Sequence, residues 1–492
     1  MIRAMVTLTV DNRVRLATAE LPEAVKVRLK EEFTHPNPKW QKLKALGYAT
    51  FREPRLIQTW TEKAGVLTLP RGALRRVQQL LTEETLTFRM VDAMLECEDK
   101  TYGGLRLTHS VDLYDYQERI VEQAIKAKTG IVRAPTGSGK TTAALSLVAR
   151  IARPTIVIVW DSRLQEQWMQ RVESETNLRA RDVGVIGGGR FGVRPLTVAM
   201  QQTLLKLNVE QWREVSGYFG VVVCDEVQRF AAKTFMQVID RFPARWRIGI
   251  SADETRKDRL EFLLYDLFGS VVAEVQRDDL IEQRFVHDVE VRVVPTDFDA
   301  PWYRDPQDAD HQNFNRLLEE MAGDRARNDL VIRLTRNASA QNEQVLVFSH
   351  RREHCVELSS QLTEHGERCG LLLGGAADAD EFRETVAKIK AGKQRVAVGT
   401  VQAIGQGLDL PTVSRGVLAT PIASNRQLWG QLRGRLCRTA EGKSDARIAV
   451  LWDRRVFGFG MLKNLCAWNR DVKVLSDGQW IEGRAFIERE AR

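Results

Sequence analysis

Short, unbroken apolar runs recur along most of the chain, each followed by a segment with helical spacing. The runs at residues 155–160, 221–224 and 247–250 do not alternate polar with apolar positions. Strands of that kind are buried on both faces, which predicts a parallel sheet covered by helices. Residues 296–311 are polar, acidic and proline-bearing, and read as a linker or loop. A helical pattern near 313–336 follows, and the strand pattern then returns at 345–348, 371–373, 395–398, 417–419 and 448–451. Residues 109–290 and 291–492 are therefore expected to form two similar α/β domains. Residues 1–108 lack the pattern and read as a small α+β accessory domain. A chain of 492 residues is too long for one core, so three domains is the natural division.

Within the first α/β domain one junction carries chemistry. Ala134-Pro135-Thr136-Gly137-Ser138-Gly139-Lys140-Thr141-Thr142 follows an apolar strand and precedes a helix-forming run. In that setting backbone N–H groups at a helix N-terminus cradle phosphates, and glycines let the main chain come close. Lys140 supplies a point charge for the β- and γ-phosphates of ATP, and the Thr141 hydroxyl a ligand for Mg²⁺. Ala134 departs from the usual pattern, which begins with glycine. Lying 85 residues beyond Lys140, the strand 221–224 ends in Asp225 and Glu226. Carboxylates at a strand C-terminus face the ligand side of such a sheet. Asp225 is expected to hold Mg²⁺, and Glu226 to orient and deprotonate an attacking water.

The second α/β domain has no phosphate loop, but Gln431-Leu432-Arg433-Gly434-Arg435-Leu436-Cys437-Arg438 is dense in cations. Arg435 and Arg438 are three apart, one face of a helix, and arginine is the residue that stabilises charge on a transferring phosphoryl group. The segment 399–411 ends another strand and exposes glycine backbone, including Gly407. Asp409 within it either binds a ribose hydroxyl or caps the turn. Upstream, Gln117 has an amide able to read both edges of an adenine.

In this order the segments resemble the motifs of superfamily 2 nucleic-acid helicases over residues 113–452: Gln117 the adenine-reading motif, 134–142 motif I, 160–168 motif Ia, 225–228 motif II, Ser251-Ala252 motif III, 347–351 motif IV, 399–411 motif V and 431–438 motif VI. The resemblance implies two tandem RecA-like motor domains that bind ATP between them, with Gln431, Arg435 and Arg438 acting on it. Arg256-Lys257-Asp258 and Arg327-Asn328 are similar to the branch of XPB-type repair helicases and phage recombination helicases. That branch implies DNA rather than RNA as partner, and an ATP-dependent helicase as activity. Alternatives are a translocase that remodels DNA complexes without separating strands, an RNA motor, and a weakly active scaffold. Gln228, Asp253-Glu254 and Gln406 depart from the family's usual residues and bear on coupling rather than hydrolysis.

Charge agrees with an anionic partner. The net charge is +8, of which residues 1–108 contribute +5 from 18 Lys/Arg against 13 Asp/Glu. Trp40, Trp60, Lys39, Arg71, Arg75 and Arg76 are candidates for a basic, stacking surface, with core tryptophans beneath solvated charges as the alternative. The six cysteines and seven histidines show no ligand spacing, so zinc and disulfides are not expected. No run suits a membrane span, and a bacterial or phage protein in the cytoplasm is the expectation. Oligomeric state is open, with a monomer compatible.

Overall fold

The computed structural model describes residues 5–97, 107–230, 232–252, 258–303, 311–375, 378–405, 408, 410–422 and 425–490. The unbroken apolar runs do become fully covered strands. Two compact units emerge, Met1–Pro135 with Gly139–Gln276, and Arg277–Arg492 with Thr136–Ser138.

In the first unit an eight-stranded sheet runs in the order Arg190–Phe191, Gly184–Gly187, Leu196–Met200, Thr155–Val159, Val221–Asp225, Trp246–Ser251, Thr129–Arg133, Val271–Glu274. Only the edge strand Arg190–Phe191 is antiparallel. Every residue of Thr155–Val159, Val221–Asp225 and Trp246–Ser251 is buried, so the absence of alternation had the anticipated cause.

The N-terminal residues form a separate five-stranded sheet carrying helices Glu23–Glu32 and Leu74–Glu83 on a core of Leu8, Leu16, Leu29, Phe33, Leu69 and Val77. Its strands Val6–Val10 and Arg13–Ala17 alternate buried and half-buried positions, as in a one-sided sheet. This sheet is locked to the larger one by buried polar groups. Arg71, 2% exposed, donates to the carbonyls of Ala244 and Arg245, the latter at 2.7 Å. Asp266, 0% exposed, accepts from the Thr59 hydroxyl at 2.7 Å and from Arg76, with His35 at 3.5 Å. Burial opposes its charge, but His35, Arg76 and Thr59 together hold its pKa below the ordinary carboxylate value. Gly72 is required at this seam, since a Cβ there would lie 2.3 Å from the Gly269 nitrogen. Arg71 and Arg76 thus serve docking rather than the basic surface for which they were candidates. The exposed cations lie elsewhere: Lys44 and Arg55 lie 5.0 and 5.8 Å from the Trp40 ring, and Phe51, 82% exposed, lies beneath Arg52.

The second unit holds the other eight-stranded sheet, ordered Cys369–Leu372, Val396–Thr400, Val345–Ser349, Arg415–Leu418, Ala446–Asp453, Val289–Thr296, Val472–Ser476, Gln479–Glu482. All but the last strand run parallel. Val289–Thr296 had no counterpart in the sequence reading. It pairs along its whole length with Ala446–Asp453. Arg327 and Asn328 prove to be buried ties. Arg327 donates to both Asp453 carboxylate oxygens at 2.7 and 3.1 Å, and Asp453 also accepts from Thr296 at 2.6 Å.

Asn328 accepts from His354 Nε2 at 2.9 Å, while Ser349 bonds His354 Nδ1 at 2.9 Å. Asn328 and Ser349 thus occupy both ring nitrogens of a neutral imidazole, and burial pushes its pKa down to about 4. As pH falls from 6.5 the unfolded chain takes up this proton and the folded chain does not. Stability therefore drops between pH 6.5 and 4, by on the order of 3 kcal/mol at the lower end. Urea midpoints at pH 7 and 4.5 should show a smaller drop for His354→Gln; equal drops would contradict this assignment.

Candidate nucleotide and motor site

Strand Thr129–Arg133 feeds residues 134–139, and helix Lys140–Ile151 begins at the lysine. Gly137 and Gly139 adopt φ of +95° and +71°, where a side chain is strained. Gly139 is fixed a second way: a Cβ there would meet Gln117 Nε2 at 2.4 Å. Gln117 itself is buried, and its Oε1 accepts the Tyr114 N–H at 3.0 Å, capping helix Asp115–Ala127. It thus backs the loop. Ala134 is wholly buried and donates its N–H to the Ser251 carbonyl at 3.0 Å. Alanine therefore suffices where the pattern usually has glycine. Thr141 is partly exposed, whereas the Thr142 hydroxyl turns inward to Glu175 at 3.2 Å.

Glu226 lies close to the lysine that ends this loop. Lys140 Nζ donates to the Ala134 carbonyl at 3.1 Å and lies 3.9 Å from Glu226 Oε1. Asp225 ends its strand buried, accepting the indole N–H of Trp168 at 2.9 Å and the Glu226 N–H at 2.9 Å. Burial first, and then the adjacent Glu226 charge, raise its pKa to about 6. A cation beside it would relieve both penalties. Glu226 adopts φ of +53°, the left-handed conformation that non-glycine residues seldom hold. From there a chain of side chains leaves the site. Gln228 donates its amide N–H to Glu226, and Ser251 donates its hydroxyl to Gln228 Oε1 at 2.6 Å. Glu226 and the end of the next strand are thus connected through Gln228, a residue unusual for the family at that position.

In the second unit helix Arg426–Leu436 starts at Asn425, whose side chain accepts the Leu428 N–H at 3.1 Å. Arg435 points into its own domain, donating to the carbonyls of Leu408 at 2.6 Å and Gly405 at 2.9 Å. Gln431 lies against the same segment, its Oε1 being 3.5 Å from where a Cβ on Gly405 would stand. Arg438 follows the helix and pairs by backbone with Val286. Gly407 and Asp409, together with Gln406 and 253–257, lie outside the described residues. Trp168 was missed by sequence reasoning, though its place in a motif Ia-like segment was a usable signal.

Comparison with known proteins decides the family. Residues 110–255 match the family model described as type III restriction enzyme, res subunit, and residues 326–440 match the helicase conserved C-terminal domain. The chain belongs to the superfamily 2 helicases. Among curated relatives of this helicase-family chain, a putative DNA 3'-5' helicase Rad25 of Halobacterium salinarum is 28% identical over 334 residues, covering 67% of this chain and 52% of the relative. A DNA 3'-5' helicase XPB of Mycobacterium tuberculosis is 22% identical over 348 residues, 69% of this chain and 60% of the relative. A putative ATP-dependent RNA helicase of Acanthamoeba polyphaga mimivirus is 24% identical over 349 residues, 68% and 62%. The matches thus span only about half to three-fifths of these relatives.

Among solved structures, S. cerevisiae Dbp5 bound to RNA and ADP BeF3 aligns with a TM-score of 0.54 at 15% identity, covering 77% of this chain and 92% of that one. A fragment of a putative HsdR subunit of a type I restriction enzyme from Vibrio vulnificus gives 0.54 at 16%, covering 95% and 86%. Both share the tandem RecA-like fold. No described helix is long and apolar enough to cross a membrane.

Proposed function

We propose that this chain is an ATP-driven motor acting on DNA, a helicase that translocates on and unwinds or remodels it. The observation that carries the reading is the convergence of Lys140, Asp225 and Glu226 on one glycine-shaped loop. The loop amides and Lys140 hold the triphosphate, and Glu226 takes the proton of the attacking water. Thr141 and Asp225 suit Mg²⁺, which when bound offsets phosphate charge. Arg438 acts on the γ-phosphate, and Arg435 and Gln431 shape the segment around Gly405. The Gln228–Ser251 link passes the state of Glu226 to the end of its neighbouring strand.

DNA is favoured over RNA by the names of the Rad25- and XPB-type relatives and by the basic N-terminal residues. Exposed Phe51 with Arg52, and Trp40 with Lys44 and Arg55, form a cationic and aromatic surface suited to stacked bases and phosphates. A translocase without strand separation is the second reading, favoured by the translocase name of another relative, XPB2 of Sulfurisphaera tokodaii.

ATPase rates with single-stranded DNA, duplex DNA, forked DNA and RNA test the partner. Stimulation by DNA beyond that by RNA is expected, weakening steeply with salt because the contacts are to phosphates. Stimulation by RNA alone would contradict the DNA assignment. Strand displacement beside triplex displacement separates the two motor readings.

A further inference from the structure

Lys443 occupies a cage of main-chain oxygens. Its Nζ lies 3.1 Å from the Pro411 carbonyl, 2.7 Å from Val413, 2.6 Å from Leu436 and 2.8 Å from Arg438. Four acceptors surround a group with three N–H bonds, so the ammonium is held much as a bare cation would be. The turn that brings it there is built for the purpose. Gly442 takes φ of +76°, and the Lys443 N–H closes the turn on the Ala440 carbonyl at 3.1 Å.

Two of the four oxygens belong to the end of helix Arg426–Leu436 and the residue two beyond it, where orphan carbonyls favour a cation. The other two belong to the segment leading into strand Arg415–Leu418. Arg435 clasps that segment further upstream, at Gly405 and Leu408. Two cations from one helix and its following turn therefore bind main-chain oxygens of Gly405, Leu408, Pro411 and Val413. We infer that Lys443 is a positioning residue: its ammonium, filling the four-carbonyl cage, fixes the main chain that carries Arg438 against Pro411 and Val413. The inference rests on the motor reading for its effect on turnover, but the cage can be tested without it.

Lys443→Ala removes three methylenes and the ammonium, leaving a hole that n-propylammonium matches in length and charge. Nucleic-acid-stimulated turnover of Lys443→Ala should fall about 10–100-fold, with KM for ATP changed by less than about threefold. Propylammonium chloride should restore turnover saturably, and n-propanol, its neutral isostere, should not. Lys443→Met, which fills the hole without donors, should share the loss and not respond to the amine. Thermal melting gives a reading independent of ATP: Tm of Lys443→Ala should fall and rise again with propylammonium, unlike that of Lys443→Met.

Wild-type turnover by Lys443→Met would overturn the inference, and it stands as the deciding variant if Lys443→Ala does not fold. Loss of turnover in Lys443→Ala that propylammonium leaves unchanged, in rate and in Tm, would overturn it as well. Absent ATPase in the wild type would instead count against the motor reading, and the melting result would then decide the cage.

Discussion

Glu226→Gln should bind ATP as the wild type does and turn it over about 10²–10⁴-fold more slowly, the range a general base contributes. The substitution keeps size and hydrogen-bonding capacity but removes the basic oxygen. Nothing else in the cradle needs to move, since the loop shape is set by Gly137, Gly139 and the Gln117 side chain behind them. Gln228, which donates to Glu226, can donate equally to the new amide oxygen. Fluorescent-nucleotide titration beside steady-state turnover checks both halves. Hydrolysis at the wild-type rate would show that the base lies elsewhere.

Arg438→Ala should leave ATP affinity within a few-fold while lowering turnover by about 10³-fold or more, as removal of an arginine acting on transition-state charge does. Arg435→Ala should behave differently. Its guanidinium serves the carbonyls of Gly405 and Leu408, so its removal leaves buried acceptors unmet and costs stability of about 1–3 kcal/mol besides any loss of rate. Turnover and Tm measured together on the two variants separate a charge acting on phosphate from one acting on the protein. Equal effects on both quantities would contradict the division of roles.

Much of this was legible in the sequence because it is local. The loop 134–142 and the Asp225-Glu226 pair are short runs whose chemistry follows from residue type and strand–turn–helix context. The buried strands announced themselves through unbroken apolar runs. What the sequence concealed depends on partners far along the chain. Val289–Thr296 has the alternating look of a one-sided strand, yet it lies between Ala446–Asp453 and Val472–Ser476 in the second sheet. Arg71 and Arg76 read as surface cations, and only the approach of Ala244, Arg245 and Asp266 turns them into docking groups. Trp168 stands in the motif Ia-like segment with no role of its own until its indole N–H meets Asp225 across 57 residues. Lys443 carries no motif at all, since its partners are carbonyls, which every residue has.

The most direct test of the account is the ATP turnover rate of the wild-type chain with Mg²⁺, measured across a titration of single-stranded DNA. The account predicts a low basal rate that rises to a saturating plateau about tenfold or more higher. A rate that DNA leaves unchanged, or no turnover at any DNA concentration, would contradict it.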